Sequence, residues 1–161
     1  MTPGTLPGLV GVVAGAAAVV ASGITPAATT VGILGVVCMA LGTFWDRGLA
    51  VAVGGLALGG AVLLAGHAGA SPASLVAAVA AGVLSYDQFD AARTYRRTFD
   101  AAAVTARGEA AHAAGVTLVV GLFAGGAFAV YTLAAGRTST LAVGLLVVGA
   151  SALTAALWLE G

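Results

Sequence analysis

The stretch DQFDAARTYRRTFDAAAVTARGE, Asp87 to Glu109, holds eight of the chain's twelve charged residues, and the sequence on either side is dominated by Ala, Gly, Val and Leu. Only Asp46, Arg47, Arg137 and Glu160 carry charge elsewhere. A chain so divided reads as a set of apolar spans with one polar segment held outside the bilayer.

Composition supports that reading. Hydrophobic residues make up 60% of the chain, charged residues 7%, and the mean hydropathy is +1.09. Soluble domains have roughly 45–50% apolar and about 25% charged residues, so a water-soluble core is excluded. The 161 residues suffice for about six spans of roughly 20 residues. The net charge is zero, which gives nucleic acid no reason to bind. The single cysteine, Cys38, lies in an apolar run and is expected to be a small buried hydrophobe. The segment Met1–Thr5 lacks the positive region that precedes a cleavable signal, so the first apolar run is read as a retained span.

The runs lack period-2 alternation, and helices or closed barrels alone satisfy backbone polar groups in lipid. The fold class expected is therefore all-α, a polytopic transmembrane helical bundle forming a single domain over residues 1–161. Its six predicted spans, 6–24, 29–45, 48–66, 72–86, 110–135 and 141–159, are arranged as three hairpins. The second and fourth are short, with apolar parts near 24 Å against a hydrocarbon core of about 30 Å. Thr25-Pro26 and Ser71-Pro72 place a capping hydroxyl before a proline suited to the first helical turn, and residues 136–140 supply the last turn.

Trp45-Asp46, Tyr86-Asp87 and Trp158 with Glu160 each set an aromatic ring beside a carboxylate at the end of a returning span. Rings prefer the headgroup level, so the three positions mark one membrane face. Arg47, Arg93, Arg96, Arg97 and Arg107 fall on that face and Arg137 on the other. The positive-inside rule then places the face, and both termini, in the cytoplasm of a multi-pass cell-membrane protein.

Glycine inside a soluble helix costs roughly 1 kcal/mol relative to Ala, yet in lipid it lets backbones approach closely. Gly11 with Gly15, Gly55 with Gly59, and Gly121 with Gly125 are small-xxx-small pairs expected to pack helices, either within one bundle or between copies in a homo-oligomer.

No ionisable residue lies deep in a span, which counts against a proton pump, a carboxylate-coupled transporter or a voltage sensor. His67 and His112 are separated and lack an acid or thiol cluster, so no metal site is expected. The sequence contains no GxSxG, HExxH, CxxC or P-loop. Neither enzymatic activity nor a cofactor is expected.

The polar segment 87–109 reads as a cytoplasmic helical connection, continuing the fourth span or lying beside it, with a turn at Thr105–Gly108 before the fifth. Helical spacing pairs Asp90 with Arg93, and Asp100 with Arg96 and Arg97. Tyr86, Phe89, Tyr95 and Phe99 occupy about one half of a helical wheel. The segment could be a solvated hairpin with internal ion pairs, a docking surface, or a site where arginines meet lipid phosphates. The candidate interface comprises Asp87, Phe89, Asp90, Arg93, Tyr95, Arg96, Arg97, Phe99, Asp100, Arg107 and Glu109.

At Ser85-Tyr86-Asp87 and Thr105-x-Arg107-x-Glu109-x-x-His112-Ala113 the sequence resembles a family of uncharacterised multi-pass membrane proteins from halophilic archaea. That family has Trp where Tyr86 stands and Gly-Glu near Phe89-Asp90, and this chain departs from it there. The resemblance implies a membrane protein of unknown function, often associated with MoxR-type AAA+ ATPases and von Willebrand A-type proteins, and it carries no catalytic residues.

Two functions are expected to compete. One is a non-enzymatic accessory or scaffold subunit that docks a cytoplasmic or membrane protein through residues 87–109, with the lipid bilayer as its surroundings. The other is a small transporter or channel for an uncharged or weakly polar solute, lined by Thr30, Thr43, Thr117, Tyr131, Thr132, Ser151 and Thr154.

Overall fold

The computed structural model describes residues 2–23 and 25–134, and every regular element among them is an α-helix. In chain order these are α1 (Thr5–Ser22), α2 (Pro26–Phe44), α3 (Gly48–His67), α4 (Pro72–Thr98) and α5 (Ala106–Ala134). The chain divides into two compact units, Met1–Ala124 and Gly125–Gly161. The first contains α1 to α4 and most of α5. In the second, the described residues continue α5, where the rings of Phe128 and Tyr131 stack 6.3 Å apart.

The helix starts follow their capping chemistry. The Thr25 hydroxyl accepts the Ala28 N–H at 3.3 Å, and the Ser71 hydroxyl accepts the Ser74 N–H at 3.1 Å. Each is followed by a proline whose missing N–H is not needed there. Because Pro26 begins α2, that helix has 19 residues and reaches about 28 Å, longer than the span expected from Thr29. Between α2 and α3, Asp46 adopts φ 54° and the Arg47 N–H bonds the Gly42 carbonyl at 2.7 Å. Asp is among the few side chains that tolerate this left-handed conformation at a helix end.

Four helices, α1, α2, α3 and α5, are long and apolar enough to cross a membrane. The 27 residues of α4 extend about 40 Å, but only the part before Asp87 is uniformly uncharged. The turn at 136–140 and the span at 141–159 lie outside the described residues.

Side-chain sizes are sorted in a way compatible with a membrane protein. The interior holds Ala14, Ala18, Ala28, Ala61, Ala65, Ala78 and Ala92, joined by the larger Met39, Val51, Leu58 and Phe89. Leu56 and Leu49 are 77% and 79% exposed, and Val20 is 81% exposed. In lipid nothing is gained by hiding a leucine from hydrocarbon, so close backbone approach and van der Waals contact hold the helices together.

The expected pairs α1–α2 and α3–α4 are in contact, and the third expected hairpin extends outside the described residues. The longest seams run between α2 and α3 and between α1 and α4, with shorter ones between α1 and α2 and between α3 and α4. Glycine placement gives the reason. A Cβ on Gly35 would come within 2.8 Å of the Gly54 carbonyl, and one on Gly54 within 2.5 Å of the Gly35 carbonyl and the Met39 side chain. On the other seam, a Cβ on Gly11 would stand 3.2 Å from the Phe89 ring, and one on Gly15 would stand 2.9 Å from the Ser85 hydroxyl and 2.7 Å from the Val36 side chain of α2. Two interhelical hydrogen bonds reinforce this packing: Ser85 Oγ donates to the Gly11 carbonyl at 2.8 Å, and Thr43 Oγ1 to the Phe89 carbonyl at 3.2 Å. Such bonds average about 0.6 kcal/mol in membranes.

Of the glycine pairs expected from sequence, Gly11 and Gly15 lie in the α1–α4 seam, and Gly55 lies under the Tyr86 ring, which a Cβ there would approach to 2.8 Å. A Cβ on Gly59, Gly121 or Gly125 would meet nothing within 4 Å. Cys38 is half-buried, with Sγ 3.3 Å from the Ala50 carbonyl.

Gly54→Ala is expected to cost about 1–3 kcal/mol by forcing α2 from α3. Gly59→Ala on the same helix should be neutral or gain up to about 1 kcal/mol. Unfolding of the two variants in mixed micelles, followed by circular dichroism, checks the contrast.

Candidate functional site

Polar chemistry collects at one end of the bundle, where the start of α1, the α2–α3 turn, the extension of α4 and the root of α5 meet. The organising group is Glu109. Its carboxylate is 2% exposed and accepts the Gly4 N–H at 2.8 Å and the Leu6 N–H at 3.1 Å, with the Thr105 hydroxyl donating a third, short bond. The Gly4 N-cap has no side chain to cap α1 itself. Glu109 supplies that cap from another helix and places a negative charge at the positive end of the α1 dipole. Gly4 is required twice: its φ is 78°, and a Cβ would collide with the Ala92 carbonyl.

The next contact outward joins α4 to α5. His112 Nε2 lies 3.0 Å from Asp87 Oδ2, and Gln88 Nε2 donates to the same oxygen at 3.1 Å. Gln88 is fully buried, yet its Oε1 has no hydrogen-bond partner among the described residues. Beside this group opens a cleft of about 400 Å3 lined by Asp87, Asp90, Ala91, Thr94, Tyr95, Thr98, Phe99 and His112. Its carboxylates, imidazole and ring faces suit hydrogen-bond donors and cations. Among the described residues, no three His, Cys, Asp or Glu side chains gather as a metal site.

The third group is ionic. Arg93 Nη2 bonds Asp90 Oδ1 at 2.9 Å, as its i,i+3 spacing predicts. Arg97 pairs with Asp46 of the α2–α3 turn at 3.3 Å, and both side chains are at least half exposed. An exposed pair of this kind contributes about 0–1 kcal/mol. Among the described residues Asp100 makes no ion pair, contrary to its expected pairing with Arg96 and Arg97. α4 ends at Thr98, and Phe99 turns to an extended backbone with φ −115° and ψ 140°, so the spacing that would align these charges is lost.

The continuation of α4 is thus one unbroken helix with Asp87, Asp90, Arg93, Tyr95, Arg96 and Arg97 along it, followed by a loop of residues 99–105. The turn expected at Thr105–Gly108 falls earlier, because Glu109 N–H bonds the Thr105 carbonyl and Gly108 already lies within α5. Tyr95 and Phe99 stack with ring centroids 5.6 Å apart. Arg96, Arg97, Phe99, Asp100 and Arg107 are exposed. Two residues leave the interface expected from sequence. Phe89 is 2% exposed because its ring fills the space over Gly11, and Glu109 is withdrawn under α1.

Sequence reading missed the Asp87–His112 contact, the Glu109 cap and buried Gln88. No local pattern signals the first two, since the partners lie 25 and 105 residues apart.

A family model described as Family of unknown function (DUF7519) matches residues 1–154, and the chain belongs to that family. No curated protein and no solved structure matches the chain.

Replacing Glu109 by Ala strands two buried N–H donors, so a loss of about 2–4 kcal/mol is expected. Thr105→Ala removes one donor and should cost about 1 kcal/mol. Hydrogen exchange resolved at Gly4 and Leu6 reads the effect directly. Both amides should exchange faster in Glu109→Ala, while those in the middle of α3 stay protected.

Proposed function

Starting from membership of a family whose function is unknown, we propose that this chain is a non-enzymatic accessory or scaffold subunit of the cell membrane that docks a partner protein through its charged end. The observation that carries the reading is how firmly that end is built. α4 leaves the apolar zone as a continuous helix, its base is bonded to α5 through Asp87 and His112, and α5 is bonded to α1 through Glu109. Arg96, Arg97, Phe99 and Arg107 are thereby displayed on a preorganised support, which lowers the ordering cost of binding. Aromatic and arginine side chains are also the types enriched at protein interfaces.

In this proposal six spans cross the membrane, the charged end faces the cytoplasm, and both termini lie on that side. Charge placement supports the orientation, since Arg47, Arg93, Arg96, Arg97 and Arg107 all belong to this end. The partner class to test first is a MoxR-type ATPase, which the resemblance at residues 85–113 implies. The solute-path reading gains less support. Thr30, Thr117 and Thr132 turn their hydroxyls back to carbonyls of their own helix, and Thr43 bonds the Met39 and Phe89 carbonyls. Ser151 and Thr154 lie outside the described residues.

Two measurements test the proposal. In a Cys38→Ala background, a membrane-impermeant maleimide applied to intact cells should label H67C and spare R96C; the reverse pattern would invert the topology. A photo-crosslinking amino acid at position 96 should trap a discrete protein adduct in native membranes, with none from position 67. Charge reversal by Arg97→Glu should weaken that adduct by about tenfold, because like charges then face each other. Absence of an adduct from positions 96, 99 and 107 alike would sink the docking role.

A further inference from the structure

Between α3 and α4 the bundle surface opens into a groove of about 450 Å3, lined by apolar side chains and floored by Gly55, Gly59 and Gly82. Among the described residues a Cβ on Gly59 or Gly82 would meet nothing within 4 Å, so these glycines leave space that none of the described helices fills. The groove starts at Tyr86, whose ring lies on Gly55, and runs along α3 from Ala52 to Val62. Ten helical steps amount to about 15 Å, close to half of a roughly 30 Å hydrocarbon core.

That length decides the kind of occupant. One acyl chain needs a channel one leaflet deep, which this groove matches. The open end also carries the matching headgroup chemistry. Tyr86 stands where an interfacial ring belongs. About two helical turns, roughly 10 Å, beyond it on the same face of α4, the Arg93 guanidinium lies over the first residue of α3, with Nη1 2.5 Å from where a Gly48 Cβ would stand.

α3 begins there without a side-chain cap, so no side chain takes its first N–H groups. Arg93 spends Nη2 on Asp90, and its buried Nε has no partner among the described residues. Around the start of α3, Arg93 pairs with Asp90 and Arg97 with Asp46, which leaves Arg47, the residue just before the helix, without an ion-pair partner among the described residues. A guanidinium, a helix start without a side-chain cap and the positive end of the α3 dipole together suit a phosphate.

We propose that the α3–α4 groove is a binding site for one anionic phospholipid of the leaflet at the charged end, with an acyl chain along Gly55, Gly59 and Gly82 and its phosphate at Arg93 and the start of α3. The site is separate from the display of Arg96 and Phe99 and stands whether or not a protein docks there.

The test uses the full chain in nanodiscs of phosphatidylcholine containing a trace of diazirine-tailed phosphatidylglycerol or diazirine-tailed phosphatidylcholine, with adducts mapped by peptide mass spectrometry. Adducts on Leu56, Val79 and Val83 should exceed those on the exposed Leu118 and Leu122 of α5, and should be about fivefold more abundant with the phosphatidylglycerol probe. Gly82→Leu and, separately, Gly59→Leu should remove the groove adducts for both probes. Arg93→Gln should retain them but erase the headgroup preference, while Arg96→Gln leaves it intact. Circular dichroism confirms that each variant is folded. Groove labelling no higher than at α5, equal yields from both headgroups, indifference to both groove-filling variants, or cross-links between copies through Val79 or Val83 would each overturn the proposal.

Discussion

Close backbone approach at glycine is the constraint on which the bundle depends. Hydrocarbon offers no hydrophobic reward for helix association, so the helices gain from contacts that lipid tails cannot make equally well. Gly35 against Gly54 brings α2 and α3 to backbone contact, while Gly11 and Gly15 let Phe89 and Ser85 of α4 settle on α1. The consequence appears in the sorting of side chains, with alanine inside and leucine outside. Dispersion is individually weak, and only dense packing along whole helices sums it to a useful stabilisation.

The polar end obeys a different economy. Water or headgroups solvate the outer charges, but the start of α1 is covered by its neighbours and needs an internal acceptor. Glu109 provides that acceptor, and the cost of burying its charge is offset by three donors and a helix dipole. The same bond fixes the root of α5 against α1. Asp87 and His112 fix it against α4, so two contacts of unlike chemistry hold the polar end on its apolar base.

Much of the helix layout was legible in the sequence. Thr25-Pro26 and Ser71-Pro72 marked starts through local capping, which depends on residues only a few positions apart. Helix rotation was not legible: with 25 glycines nearly every helical face offers small residues, and only the assembled bundle shows which of them touch. Gly55 and Gly59 read alike in sequence, yet one lies under Tyr86 and the other has open space. Phe89 was grouped with outward-facing aromatics because a helical wheel shows angles and not neighbours. Asp100 was paired with Arg96 and Arg97 because no Gly or Pro announces the end of α4. The only local sign is the pair of arginines in the last turn, which suits the negative end of the helix dipole.

The Glu109 cap has a consequence for biogenesis. Gly4 and its carboxylate acceptor are 105 residues apart in the chain, and ribosomes add roughly 5–20 residues per second. The first helix is therefore made about 5–20 s before its permanent cap exists, and its opening N–H groups need another partner meanwhile. The amino-terminal span can insert early but is not completed until the fifth helix emerges. Glu109 thus acts as a late closure, joining α1 to a segment made 105 residues after its cap position.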